Sequence, residues 1–181
     1  MDERCAVAFE LEQVTVVRAG RRVLDEVTAK IPAAGITVVS GPSGAGKTTL
    51  LRLCNRLEVP DRGKVCYRGG PLDELDPLVL RRRVGMVFQR ATPFPGTVAD
   101  NLAVARTLVT QPETLVLDEP TSALDEQPKR VFEATARALA GQGITIIWVT
   151  HDDAQAARVA DRICQLRHGH LTGIPAEEAR P

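Results

Sequence analysis

Two stretches of this chain carry residue types at the spacing that phosphate chemistry needs. The first is Gly41-Pro42-Ser43-Gly44-Ala45-Gly46-Lys47-Thr48, which fits G-x-x-x-x-G-K-[ST] at every fixed position. A triphosphate concentrates several negative charges in a small volume. Inward-pointing backbone N–H groups can hold it without side-chain bulk, and Gly44 and Gly46 permit the backbone this wrap requires. A helix beginning at Lys47 adds the partial positive charge of its N-terminus. Lys47 is then placed to reach the β- and γ-phosphates, the Thr48 hydroxyl to ligate Mg²⁺, and Thr49 beside them. The second stretch is Leu115-Val116-Leu117-Asp118-Glu119, an apolar run ending in two carboxylates. Asp118 is expected beside Mg²⁺, and Glu119 beside the γ-phosphate to orient or deprotonate the attacking water. The loop alone does not separate ATP from GTP.

These residues have to be positioned by short buried strands alternating with helices. Ile36–Ser40 is an apolar strand entering the glycine loop, and a helix follows from about Lys47 to Leu57 with Leu50, Leu51, Leu53, Cys54 and Leu57 on its buried face. Phe9–Val17 and Val23–Ile31, joined at Ala19-Gly20, alternate as an antiparallel pair. Further strands are expected at Lys64–Tyr67, Val84–Phe88, Thr114–Asp118 and Ile144–Thr150. Asp76-Pro77 reads as an N-cap and first helical residue. Other helices are expected at Ala99–Val109, at Pro128–Ala140 with Val131, Phe132, Thr135, Ala138 and Leu139 inward, and at Asp153–Ala160. Ile163–Arg167 and His170–Thr172 look like a closing hairpin. The expected fold is a single α/β domain over residues 1–181: a mostly parallel sheet flanked by helices, with an N-terminal antiparallel β flank.

Composition narrows the class. The chain has 181 residues, 44% hydrophobic but only 3% aromatic, so its core is expected to be aliphatic. Lys plus Arg and Asp plus Glu are 23 each, which gives no electrostatic footprint for nucleic acid or an anionic membrane. No apolar run is long enough to span a bilayer, and the charged Met1-Asp2-Glu3-Arg4 start is unlike a signal peptide, so a cytosolic protein is expected. Cys5, Cys54, Cys66 and Cys164 form no C-x-x-C pair and are expected as reduced thiols.

The order of the remaining motifs resembles the ATP-binding subunit of ABC transporters. Gln89 follows the Val84–Phe88 strand, Ser122-Ala123-Leu124-Asp125 follows the acidic pair, and His151-Asp152 follows the Ile144–Thr150 strand. The resemblance runs from about Phe9 to Leu171. It implies a Walker A loop at Gly41–Thr48, a Q-loop at Gln89, a Walker B strand at Leu115–Glu119, a D-loop at Ser122–Asp125 and a switch histidine at His151. It further implies that Gln89 contacts Mg²⁺ or the attacking water, that Asp125 lies at a homodimer interface, and that His151 touches the γ-phosphate. The implied setting is a cytoplasmic subunit on the inner face of the cell membrane, bound to permease subunits that Phe94 would face.

The chain departs from that family in two places. Arg18 stands where the family has an aromatic residue on the adenine; a guanidinium plane can stack on a base, or the arginine is simply solvated. The LSGGQ-type signature is absent, and Gln89 and Asp118 are only 29 positions apart, several dozen fewer than the family's helical subdomain requires. Ala103–Leu108 is similar to the helix after the signature and directly follows Asn101-Leu102, so the truncation is expected near 102–103. Binding with impaired hydrolysis is the expectation. The alternatives are a non-catalytic nucleotide-binding module, a P-loop small-molecule kinase with Arg81, Arg82 and Arg83 as a lid, and an ABC ATPase of DNA repair or translation, against which the neutral charge argues. The stretch from Pro71 to Leu102 is similar to subunits of phosphate importers and of metal exporters alike.

Overall fold

The alternation of short apolar strands with helices yields two sheets in the computed structural model, which describes residues 7–88 and 111–173. Strand β1 (Val7–Arg18) turns at Ala19-Gly20 into β2 (Arg21–Pro32). With β4 (Arg62–Tyr67) and the two-residue β5 (Gly70–Pro71) they form an antiparallel sheet in the order β2-β1-β4-β5. The second sheet has the order β10-β9-β3-β8-β7-β6. It comprises β3 (Gly35–Ser40), β6 (Val84–Val87), β7 (Thr114–Asp118), β8 (Thr145–Thr150), β9 (Arg162–Arg167) and β10 (His170–Thr172). All of its pairings are parallel except the closing hairpin β9–β10. The helices are α1 (Lys47–Cys54), α2 (Pro77–Arg83), α3 (Glu126–Gly141) and α4 (Asp153–Val159).

Because successive strand side chains face opposite ways, the parallel sheet buries two different apolar surfaces. Val39, Val116, Ile147 and Val149 face a core shared with α1 and the antiparallel sheet, built from Phe9, Leu11, Leu24, Leu50, Leu51 and others. Their neighbours Ile36, Val38, Leu115, Leu117, Ile146 and Trp148 face α3 and α4 through Phe132, Ala136, Ala156 and Val159. Burial on both faces is why β7 and β8 read as unbroken apolar runs. Asp76 caps α2 as its sequence suggests, its Oδ1 accepting from the N–H groups of Leu78 (2.7 Å) and Val79 (3.2 Å).

Three local expectations need correction. Helix α1 stops at Cys54, because Arg56 adopts φ 56° and turns the chain away; Leu57 is consequently exposed. The inward face of α3 is Phe132, Glu133 and Ala136, with Val131, Thr135 and Ala138 turned to solvent. Glu133, absent from the expected inward set, is buried there because Arg158 and Gln155 bond to it. Gly141 is the last residue of α3 and Gln142 its cap. The expected helix at Ala99–Val109 and loop at Pro93 and Pro95 lie outside the described residues.

Trp148 is fully buried and meets Phe132 edge-on, with ring centroids 5.4 Å apart. Its indole N–H has no hydrogen-bond partner among the described residues. Trp148→Ala should therefore cost about 3–5 kcal/mol of stability. Trp148→Phe, which keeps an aromatic ring and removes the unpaired donor but leaves a smaller cavity, should cost less than Trp148→Ala. Denaturant unfolding followed by circular dichroism checks both.

Candidate functional site

Parallel strands β3, β8 and β7 are neighbours and end at the same sheet edge, so whatever follows each of them meets there. After β3 comes the glycine loop. Gly46, the residue before α1, has φ 102°, and a Cβ there would meet the Val23 carbonyl oxygen at 2.7 Å. At Gly41 a Cβ would stand 2.2 Å from the Leu166 carbonyl oxygen. Both positions are closed to any side chain, which explains two of the motif's glycines. The first bond of α1 runs from the Leu50 N–H to the Gly46 carbonyl at 2.9 Å, and Gly46 offers no side-chain cap. The N–H groups of Lys47, Thr48 and Thr49 therefore precede the helical ladder and open from its N-terminus. Pro42, Ser43 and Gly44 form the exposed rim of the loop, and Ala45 is tucked inside. The Lys47 side chain is buried, its Nζ donating to the carbonyls of Gly41 (2.7 Å) and Pro42 (2.9 Å).

Strand β7 delivers the two carboxylates into different surroundings. Asp118 is buried, and its Oδ1 accepts from the Thr48 hydroxyl at 3.2 Å. Burial pushes its carboxyl above the usual aspartate range, and the charge of Glu119 adds to this; the Thr48 bond and the charges of Arg52 and Lys47 pull the other way. A hydroxyl and a carboxylate facing one another, in a place where ionisation is disfavoured, suit a hard cation. Among the described residues no cluster of three or more His, Cys, Asp and Glu side chains exists to hold one alone. The donor set thus fits an ion that takes most of its ligands from water or phosphate, as Mg²⁺ does.

Glu119 leaves the strand with φ 47°, a conformation that costs a non-glycine residue of the order of 1–3 kcal/mol. Its N–H bonds the Val149 carbonyl at 3.0 Å. Its Oε2 lies 3.2 Å from Nδ1 of His151, the residue following β8. Glu119 is mostly buried and His151 largely exposed, so the pair forms a wall at this sheet edge that is open to solvent on the histidine side.

Lys47, Thr48, Thr49, Asp118, Glu119 and His151 are thus gathered on one edge. Gln89 lies outside the described residues, as does Phe94. Arg18 is ion-paired with Glu58 and, at 3.2 Å, with Asp61, on the turn after α1. The Val17 N–H, and then the charge of Arg18, hold the Asp61 carboxyl below its usual range. To lie on a base, Arg18 would have to leave both partners. Asp125 sits at the N-cap of α3, exposed and making no side-chain cap. Of the arginines at the end of α2, Arg81 donates to the carbonyls of Asn55 (3.3 Å) and Arg56 (2.9 Å), and the exposed Arg83 pairs with Glu113 at 3.7 Å. Cys54, Cys66 and Cys164 are free and buried, and burial pushes the thiols of Cys54 and Cys164 up to about 12.

One set of residues escaped the sequence analysis. Gln155, Thr121, Thr150, Glu133, Lys129 and Arg158 form a hydrogen-bonded network beneath the Glu119–His151 wall. Its only legible signal was Gln155 sharing the buried stripe of α4 with Val159, four residues on.

A glycine loop between a parallel strand and a helix, with acids at the end of the next parallel strand but one, defines a P-loop nucleoside-triphosphatase fold. Comparison with known proteins narrows it. The ABC transporter family model matches residues 24–101. The chain is 34% identical to phosphate import ATP-binding protein PstB 2 of Mycobacterium tuberculosis, over 93% of this chain and 82% of that protein. It is 35% identical to protein STAR1 of Oryza sativa subsp. japonica over 86% of this chain, and spans only 58% of the rice protein's length. The structure of cbiO1 from Clostridium perfringens, part of the ABC transporter complex cbiONQ, superposes with a TM-score of 0.83 at 22% identity over 95% of this chain and 90% of that one. A bacterial Atm1-family ABC exporter with ATP bound gives the same TM-score at 25% identity, over 92% of this chain and 38% of the exporter. This chain belongs to the ATP-binding proteins of the ABC transporter family. Among the described residues no helix is long and apolar enough to cross a membrane.

Because its pKa is raised in the fold, Asp118 binds its proton more tightly folded than unfolded. Stability then falls as pH rises from the unfolded aspartate value through the raised folded value. Asp118→Asn removes this penalty and keeps an oxygen to accept from Thr48. Without nucleotide it should melt at a higher temperature than the wild type at neutral pH, and the difference should shrink as the pH falls below the unfolded aspartate value. Scanning calorimetry across acid to neutral pH checks this; a less stable variant contradicts it.

Proposed function

We propose that this chain binds Mg·ATP at the N-terminus of α1 as the energy-supplying subunit of a membrane transporter, and that it turns ATP over poorly. The observation that carries this is the convergence of Lys47, the Thr48–Asp118 pair and the Glu119–His151 pair on one sheet edge. Gly41–Thr48 and Thr49 would wrap the phosphates with backbone N–H groups. The Lys47 ammonium would exchange the Gly41 and Pro42 carbonyls for oxygens of the β- and γ-phosphates. Thr48, Asp118 and Gln89 would hold Mg²⁺, which when bound neutralises phosphate charge. Glu119 would accept a proton from the attacking water or orient it, and His151 would bond the γ-phosphate while keeping Glu119 in place. Arg18 would stack on the base after releasing Glu58 and Asp61.

The family relatives support permease subunits as partners, with the chain at the cytoplasmic face of the membrane. Asp125, exposed and free of capping duty, is available to a second copy in a homodimer. The equal numbers of acidic and basic residues argue against nucleic acid.

Poor turnover follows from what the chain lacks. The PstB 2 alignment runs over 227 residues, whereas 93% of this 181-residue chain is about 168, so about 59 aligned positions have no counterpart here. The family match stops at residue 101, beside the inferred truncation at 102–103 of a single domain spanning 1–181. In the family the signature of one subunit closes over the ATP of the other. Losing one preorganised donor to a developing charge costs about 10²–10³ in rate, and here the whole element is gone. The same absence favours a second reading, a nucleotide-binding module without catalysis.

Turnover of the purified chain and of Glu119→Gln, with bound nucleotide quantified in the same samples, tests these readings. ATP bound by both with turnover at least about 10²-fold below that of an intact family member is the expected result. No detectable turnover in either supports the non-catalytic module, and turnover matching an intact member contradicts impairment.

A further inference from the structure

Gln155 is almost wholly buried on α4, a short helix that otherwise buries only Ala156 and Val159. A buried carboxamide needs partners for its carbonyl and both N–H bonds, and Gln155 has all of them. Its Oε1 accepts from the Thr150 hydroxyl at 3.0 Å. Its Nε2 donates to the Thr121 hydroxyl at 2.8 Å and to Glu133 Oε1 at 3.0 Å. Thr150 immediately precedes His151, and its hydroxyl also accepts from the Asp152 N–H at 3.1 Å. Asp152 in turn accepts from the Gln155 N–H at 2.9 Å and pairs with Lys129 at 2.9 Å. Thr121 lies two residues beyond Glu119. One side chain therefore grips the turn that carries Glu119 and the turn that carries His151, on both sides of their 3.2 Å contact.

The choice of glutamine follows from the third partner. Glu133 is buried; burial alone would raise its pKa, but the bonds from Arg158 and Gln155 and the charge of Arg158 outweigh it and hold the carboxyl ionised. Arg158 reaches it with Nε at 3.3 Å and Nη2 at 3.0 Å. A glutamate at 155 would set a second carboxylate against the first and would have no hydrogen to give Thr121.

We propose that Gln155 is a positioning residue that holds Glu119 and His151 in register for a terminal phosphate, so that it governs the preference for a nucleoside triphosphate over a diphosphate. The proposal rests on the nucleotide-binding function argued above. Gln155 touches no nucleotide itself; a diphosphate, which does not reach the Glu119–His151 wall, should not sense it.

The test is calorimetric titration in Mg²⁺ with ADP and with a non-hydrolysable ATP analogue. Gln155→Met keeps the volume and loses every side-chain hydrogen bond. It should weaken the analogue about tenfold, the scale of one hydrogen bond to a charged group, and change ADP affinity less than about twofold. Thr121→Val, which leaves α4 intact, should move the same ratio in the same direction, and Thr121→Ser should not. Gln155→Glu should weaken the analogue at least as much as Gln155→Met. An unchanged ratio in Gln155→Met and Thr121→Val, or equal losses for both nucleotides, overturns the proposal. A wild-type chain that binds neither nucleotide overturns the function on which it rests.

Discussion

A lysine with only 5% of its surface exposed must find oxygen partners for its ammonium, and Lys47 finds them in the carbonyls of its own loop. Much of the site is arranged around that bond. The loop has to fold back over the first turn of α1, which demands φ 102° at Gly46 and contact too close for a side chain at Gly41. Folding back brings the backbone oxygens to the ammonium and leaves the N–H groups of the helix start pointing outward. A pocket of donors with a cation at its base results. The lysine's partners are exchangeable in kind: phosphate oxygens can replace carbonyl oxygens without leaving the charge unpaired.

The parallel sheet sets the second constraint, by ending β3, β7 and β8 on one edge. The two acids at the end of β7 are adjacent in sequence, yet their surroundings differ sharply. Asp118 continues the strand into a buried position where its charge is disfavoured. Glu119 breaks from it at φ 47° and turns toward His151. Such a division suits one acid to a cation and the other to a proton or a water. The strain at Glu119 and the burial of Asp118 both cost stability, and the apolar packing on the two faces of the sheet has to offset them. Beneath lies the Gln155 network, where a buried glutamate is tolerated only because two donors satisfy it.

The sheet was legible because strands buried on both faces leave unbroken apolar runs; Thr114–Asp118 and His170–Thr172 match their expected bounds, and the ends of the other expected strands lie within two residues of theirs. The glycine loop was legible because only glycine fits where the backbone is closest. What could not be seen arose from side chains whose partners are distant in sequence. Glu133 was not among the residues expected inward on its helix; its burial depends on Arg158, 25 residues away. Val131, an apolar residue beside Phe132, was expected inward and is exposed. Arg18 and Arg81 to Arg83 were equally opaque, since ion pairs such as Arg18 with Glu58 and Asp61 follow from β1 lying beside β4. The early end of α1 reflects a single residue, Arg56, entering the left-handed region without a glycine to announce it.

A crystal structure of the chain with Mg²⁺ and a non-hydrolysable ATP analogue would examine this account at the Lys47 bond itself. The account predicts β- and γ-phosphates against the N–H groups that open α1, with Lys47 Nζ withdrawn from the Gly41 and Pro42 carbonyls toward them and the cation between Thr48 and Asp118. A nucleotide bound elsewhere, or a Lys47 still bonded to both carbonyls with phosphate present, would contradict it.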